Sequence, residues 1–203
     1  MTNQLNNIEE LVDKDEKLID IWGRRNPKFE KKYEDSVIRV LSQYGKRANE
    51  TTNDKGKIFG NGYEPYIIAF FIGLYANKRI PLSENADELK GFGYPLQYWG
   101  DFESRGLRKQ YPALRSYIFI ALVAKTDIDW IALDKGDLKV STVVTSLVET
   151  MEEYANYGFS IMEEKIKEDP GCFFSHRAFL DMFLQLTNRN AEDLIQGDKP
   201  EEL

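Results

Sequence analysis

The stretch KVSTVVTSLVETMEEYANYGFSIMEEKIK, residues 139–167, has the most regular apolar pattern in the chain. Apolar or small side chains recur every three or four positions, at Val140, Val144, Leu147, Met151, Ala155, Gly158, Met162 and Ile166. Their mean spacing of about 3.7 residues matches an α-helical turn, so the pattern predicts one long helix with a single buried stripe. The small residues Ala155 and Gly158 predict a close helix crossing or a kink at mid-stripe.

Other segments also show helical patterns. Apolar side chains recur at helical spacing over 5–22, 28–44 and 175–186, while Ser83 and Asp127 are the expected caps of two short helices. Two apolar runs, Tyr66–Ala76 and Tyr117–Ala124, predict buried helices that begin near prolines. Both runs are shorter than the roughly 20 residues of a membrane-spanning helix.

These patterns favour an all-α protein, because no stretch alternates apolar and polar residues convincingly. We predict a single compact orthogonal or bundle-like helical domain of about seven to eight helices over residues 1–203. Residues 45–62 are polar and rich in glycine, which predicts a long exposed loop.

The composition is that of an ordinary soluble globular protein, with 203 residues, 42% hydrophobic and 30% charged. The single cysteine, Cys172, excludes an intramolecular disulfide and a cysteine-rich zinc site. The first residues are polar and acidic where an export signal would be apolar. A cytoplasmic location is therefore the expectation, with no membrane association.

Several catalytic sites are excluded or disfavoured by the number and the order of the residues they need. His176 is the only histidine, so sites that need two histidines, such as helical di-iron sites and HExxH zinc sites, cannot form. The glycines at 56, 60 and 62 are not followed by the Lys-Ser/Thr of a phosphate-binding loop. A Cys172–His176 dyad is disfavoured because the expected helix begins near Ser175. No metal or cofactor is expected, and a non-catalytic protein is favoured.

The first functional hypothesis is a non-catalytic helical subunit that binds a protein partner within a larger, bacterial complex. It rests on an aromatic, glycine-punctuated segment whose expected exposed residues are Tyr94, Tyr98, Trp99 and Phe102. Aromatic residues are enriched at interface hot spots. Charge is also segregated along the chain. Residues 126–203 hold 7 basic and 17 acidic side chains, which is a net charge of −10, whereas the whole chain carries −7. Such segregation would orient an encounter with a partner.

A second hypothesis is a nucleic-acid-associated accessory factor, for example in a multi-gene defence or mobile-element system. The candidate phosphate-binding residues are Arg24, Arg25, Lys28, Lys31, Lys32, Arg105, Arg108 and Lys109. The net acidity of the chain opposes independent binding, so this contact would form inside an assembly. A weaker alternative is a small hydrolase that uses Asp101 and Glu103. The glutamates of residues 149–164 are expected to form a solvated acidic face.

Overall fold

The computed structural model describes residues 16–42, 58–100 and 113–197, with side chains described as far as Thr187. This part of the chain contains seven α-helices: α1 (Leu18–Gly23), α2 (Arg39–Leu41), α3 (Tyr63–Ala76), α4 (Leu114–Lys125), α5 (Trp130–Lys135), α6 (Val140–Glu168) and α7 (Ala178–Gly197). Strands β1 (Lys28–Glu30) and β2 (Leu89–Gly91) form its one small sheet. Shorter helical turns are the π-helix Glu34–Ile38 and the 3-10 helices Ala86–Glu88, Leu96–Tyr98 and Cys172–Phe174. The described chain is mainly α-helical, which confirms the predicted class.

The N-terminal helices differ from the prediction. A single helix over 28–44 is wrong, because β1 occupies its start and a π-helical turn precedes α2. The apolar spacing still identifies the buried side, since Phe29, Tyr33, Val37 and Leu41 are all buried. The backbone at Lys17 is extended, so α1 begins at Leu18 and forms only the end of the predicted 5–22 helix, most of which lies outside the described residues.

Two predicted caps are replaced by neighbouring residues. Asp129, and not Asp127, caps α5, with its Oδ1 accepting a hydrogen bond from the Ala132 N–H at 2.8 Å. Asn85, and not Ser83, caps the 3-10 turn that replaces the predicted 84–90 helix. Residues 89–90 belong to β2, which prevents a longer helix there.

Contacts within the chain form two units. Unit 1 comprises residues 1–28 and 91–151, and unit 2 comprises residues 29–90 and 152–203. Helix α6 contributes residues to each unit. The prediction of one domain over 1–203, with an orthogonal or bundle-like arrangement, stays a prediction.

In unit 1, the core forms around Trp22, whose ring packs against Phe119 of α4 at a centroid distance of 5.5 Å. Ile118 and Leu122 of α4 and Leu147 of α6 are also buried. The Trp22 indole N–H has no hydrogen-bond partner among the described residues. Burial of the large ring outweighs that loss, because the apolar area of an aromatic side chain dominates its energetics.

In unit 2, α3 and α6 cross at van der Waals contact of their backbones. A Cβ added to Gly158 would lie 2.6 Å from the Ala69 Cα, and one added to Gly73 would lie 2.8 Å from the Tyr154 carbonyl carbon. Both distances are far below normal carbon contacts. The predicted close crossing at Gly158 is therefore confirmed, and Gly73 forms its counterpart on α3.

Aromatic rings fill the rest of the unit 2 core. Phe159 of α6 stacks on Tyr33 at 5.3 Å and meets Tyr66 of α3 edge-on at 5.5 Å. Tyr75 of α3 contacts Phe183 of α7 at 5.3 Å. Helix α3 is thus covered by both α6 and α7, which confirms the buried helix predicted from Tyr66–Ala76. Across the described ranges, no helix combines the length and apolar character needed to cross a membrane.

Candidate interaction surface

The aromatic loop of residues 91–100 is held in place by backbone and side-chain hydrogen bonds within unit 1. The Asn26 Oδ1 accepts from the N–H groups of Gly93 at 2.9 Å and Tyr94 at 3.3 Å. Gly93 has φ +79°, a conformation that favours glycine. The Leu96 N–H donates to the Arg25 carbonyl at 3.1 Å. The loop is therefore a defined surface element without a charged side chain of its own.

Trp99 is buried, with only 4% of its surface exposed, so the expectation of an exposed Trp99 is wrong. Its indole Nε1 donates to the Tyr94 carbonyl at 3.0 Å, and its ring meets Phe92 at 5.6 Å. A tryptophan with both its N–H and its ring satisfied is favoured in the core. Tyr94 and Tyr98 remain exposed and contact each other at 5.5 Å, while Phe102 lies outside the described residues.

Helix α4 presents an apolar face that the sequence did not identify. Tyr117–Ala124 was expected to form a buried helix, but Tyr117 is 63% exposed and Ile120 is 62% exposed. Ala124 is exposed on the same side of the helix, one turn after Ile120. We call these three residues the α4 face. The charged residues of the helix, Arg115 and Lys125, lie near its two ends and point elsewhere around its axis.

The aromatic loop and the α1-facing side of α4 meet at the end of α1. A Cβ on Gly23 would lie 3.3 Å from the Gln97 Cβ and 3.8 Å from an Arg115 guanidinium nitrogen. The loop and the first turn of α4 therefore flank the same position. Tyr117 and Ile120 lie on the other side of α4, so the α4 face and the aromatic loop are two separate uncharged surfaces of unit 1.

Helix α5 is a second apolar feature of unit 1. None of its six residues is buried, and Trp130 and Ile131 are 43% and 68% exposed. Both residues are large and hydrophobic, so each leaves substantial apolar area in water. Sequence analysis placed these residues in a short helix without assigning them to a surface.

Among the predicted nucleic-acid contacts, Arg24, Arg25 and Lys28 belong to unit 1. Arg24 forms a bidentate ion pair with Glu16, with Nη2–Oε2 at 2.9 Å. The Arg25 guanidinium donates a hydrogen bond to the Thr145 Oγ1 at 3.4 Å. Lys28 is exposed. The Arg24 charge is thus already neutralised by a carboxylate.

Lys31 and Lys32 belong to unit 2. The Lys31 Nζ donates to the Asp87 carbonyl at 2.6 Å, and Lys32 forms an ion pair with Glu30. The remaining candidates, Arg105, Arg108 and Lys109, lie outside the described residues, as do Asp101 and Glu103 of the hydrolase alternative. Nucleic-acid binding and hydrolysis stay predictions.

A buried polar cluster in unit 2 was missed by the sequence analysis. The Asn156 amide is 3% exposed, and its Nδ2 donates to the Glu30 Oε1 at 3.0 Å, the Pro81 carbonyl at 3.1 Å and the Ile80 carbonyl at 3.3 Å. Burial acts to raise the pKa of Glu30, but hydrogen bonds from Lys32 and Asn156 outweigh it and hold that pKa below its ordinary value. Because three acceptors converge on the Asn156 amide, this cluster joins three parts of unit 2. These are β1, the segment that follows α3, and helix α6.

The remaining catalytic candidates lack the required environment. Burial, followed by the nearby Asp169 carboxylate, raises the pKa of the Cys172 thiol, whereas a nucleophilic cysteine needs a lowered one. His176 is exposed at the turn before α7. Within residues 16–42, 58–100 and 113–197, no group of three or more histidine, cysteine or acidic side chains is arranged to hold a metal.

The acidic face predicted on α6 is only partly solvated. Glu149 and Glu164 are exposed, but Glu152, Glu153 and Glu163 are half-buried. The Glu153 carboxylate lies 3.5 Å from the Arg79 guanidinium, and that of Glu163 lies 2.9 Å from the Lys167 ammonium. These pairs reduce the charge that the helix offers to a basic partner.

Comparison with protein families, with curated proteins and with solved structures finds no match to this chain. The functional assignment therefore rests on the surfaces described above. Of these, the α4 face has the two most exposed large side chains on a single regular helix face.

Proposed function

We propose that this protein is a non-catalytic helical subunit that binds a protein partner through the α4 face. The observation that carries the proposal is the exposure of Tyr117 and Ile120, adjacent on one uncharged helix face. Exposed apolar patches on folded proteins are typical of interaction sites. Aromatic side chains and depletion of charge are typical of interface cores.

Covering the α4 face would contribute enough free energy to affect the affinity for a partner. Full burial of an isoleucine contributes roughly 1.5–3 kcal/mol. About three-fifths of that area is still exposed at Ile120, which leaves about 1–2 kcal/mol to be gained on binding. With a similar contribution from Tyr117, the pair accounts for roughly a 30- to 1,000-fold difference in affinity.

The aromatic loop supplies a second contact. Tyr94 and Tyr98 are exposed in unit 1, and the buried Trp99 donates a hydrogen bond to the Tyr94 carbonyl. Tyrosines present large apolar area at a low cost in side-chain entropy. The proposed partner therefore contacts the α4 face first and Tyr94 and Tyr98 as a separate, second site, with Trp99 in a positioning role.

A pair of double variants tests the proposal. Tyr117→Ser with Ile120→Ser removes the α4 face, whereas Leu180→Ser with Leu184→Ser makes the same kind of change on exposed positions of α7. Each tagged variant is purified at low salt from the native cells, with and without nuclease treatment, and bound proteins are quantified by mass spectrometry.

We expect a stoichiometric partner with the parent protein and the α7 variant, and its loss with the α4 variant at unchanged thermal stability. Loss with the α7 variant alone would place the interface on α7 and refute the assignment. Recovery of a partner that disappears with nuclease treatment would favour the nucleic-acid hypothesis instead.

A further inference from the structure

Helix α5 has defined ends although none of its residues is fully buried. Its first turn is capped by Asp129, and it ends at Gly136, whose φ is +79° and whose N–H donates to the Leu133 carbonyl at 3.1 Å. An isolated helix of six residues would not be stable in water. The caps, together with the half-buried Ala132 and Leu133, therefore hold Trp130 and Ile131 at the surface.

The exposed apolar pair is surrounded in sequence by acidic side chains. Residues 127–137 contain four exposed aspartates and one lysine, namely Asp127, Asp129, Asp134, Asp137 and Lys135. Residues 127–137 thus carry a net charge of −3 around two large hydrophobic residues, while Lys125 and Lys139 lie just outside this segment. A partner that covers Trp130 and Ile131 must bring its own side chains close to these carboxylates.

We propose that α5 docks a basic amphipathic segment of the partner protein. Its apolar side chains would cover Trp130 and Ile131, and its Lys or Arg side chains would lie against the aspartates. The inference rests on the proposed function in taking the partner to be a protein, and it adds the chemistry of the segment that α5 recognises.

Charge complementarity favours this occupant over a second copy of the chain. A symmetric contact through α5 would place the same surface on both sides, so the four aspartates of each copy would face those of the other. Like charges across an interface oppose association, whereas opposite charges speed it and fix its orientation. An amphipathic helix with basic flanks supplies both the apolar and the charged part of the match.

The probe is a synthetic 18-residue helix with leucine at every third or fourth position and lysine elsewhere, compared with the same peptide carrying glutamate for lysine. Affinity is measured by calorimetry at several salt concentrations. Trp130 also reports the location of binding by fluorescence, because Trp22 and Trp99 are buried. We expect the lysine peptide to bind and shift the emission to shorter wavelength, and the glutamate peptide not to bind.

Variants separate docking on α5 from general charge attraction. Ile131→Ser should weaken binding of the lysine peptide about 5- to 10-fold. The triple variant Asp127→Asn, Asp134→Asn, Asp137→Asn should weaken it about 10-fold and reduce its salt dependence. Asp129 is kept because it caps the helix. The matched control Glu149→Gln, Glu164→Gln, Glu168→Gln removes the same charge from exposed positions of α6 and should change the affinity less than about 2-fold.

Equal weakening by the two triple variants would overturn the inference, because binding would then follow net charge alone. Failure of the lysine peptide to bind the parent protein would overturn it as well. Neither result decides the proposed function, which depends on whether the native partner is lost with the α4 variant. The two proposals can therefore fail separately.

Discussion

Replacing Gly158 with alanine is the sharpest test of the packing in unit 2. The added Cβ would lie 2.6 Å from the Ala69 Cα, and the Ala69 carbonyl group lies closer still. Carbon atoms in contact are normally about 3.5 Å or more apart, so α3 and α6 must separate by roughly 1 Å. The atoms that obstruct the methyl group belong to the backbone, so a side-chain rotation cannot relieve the overlap.

The expected magnitude follows from two opposing effects. Alanine is favoured over glycine in a helix by about 1 kcal/mol, which would stabilise the variant. Overpacking of a well-packed core costs about 1–3 kcal/mol, and separating the helices also loosens the contacts around Phe159. Because the obstruction is rigid, we expect the upper end of that range to be exceeded, with a net destabilisation of about 2–4 kcal/mol.

Urea unfolding followed by circular dichroism measures this free energy directly. Gly73→Ala, which meets the Tyr154 backbone, should show a similar loss. Gly23→Ala is the matched control, since its Cβ would meet a side-chain carbon of Gln97 at 3.3 Å, and we expect a change below about 1 kcal/mol. If Gly158→Ala raised the stability, as alanine does at an open helical site, the close crossing would be refuted.

Three further predictions concern buried groups. Asn156→Asp should destabilise the protein by about 3–5 kcal/mol at pH 7.5, because an ionised carboxylate at this position would face Glu30. Burial raises the pKa of the new acid, so the loss of unfolding free energy relative to the parent, measured in urea, should shrink toward pH 5. Glu30 has a lowered pKa, so its ionised form stabilises the folded state at neutral pH, and this contribution is lost as the pH falls below about 4.5. Glu30→Gln should therefore make the melting temperature fall less steeply on the acid side of its pH profile. An unchanged acid side would contradict this. Trp99→Ala should cost about 3–5 kcal/mol and Tyr98→Ala less than about 1 kcal/mol, and equal losses in thermal unfolding would show that their difference in burial is wrong.

The long helices could be predicted because their apolar residues follow one period over many turns. Helix α6 spans Val140–Glu168, within one residue of the predicted bounds, and α3 contains the whole of the predicted apolar run. Over 28–44, by contrast, apolar residues four apart fit a strand followed by a π-turn as well as one helix. Contacts distant in sequence fix that region: the Glu34 carboxylate bonds to Lys90 at 2.7 Å, and the Lys31 N–H donates to the Glu88 carbonyl at 2.8 Å.

The candidate site was harder to predict because hydrophobicity does not determine which residues are covered. Trp99 was expected at the surface, yet a carbonyl five residues earlier satisfies its indole and Phe92 packs on its ring. Tyr117 was expected in the core, yet it is mostly exposed. Both errors arise because burial depends on which elements pack together, and local spacing carries little information about that.

Helices α3 and α4 differ in how far the rest of the chain covers them. Both are apolar, but α3 is covered by α6 and α7, whereas α4 packs on α1 through Phe119 and leaves Tyr117 and Ile120 in water. Polar residues at these two positions would preserve the helix and its buried side, and would reduce the risk of aggregation. Apolar residues there leave about three-fifths of their surface in water, and a partner that covered them would gain the burial energy of that area. The proposed interface on α4 rests on this difference in coverage between two apolar helices.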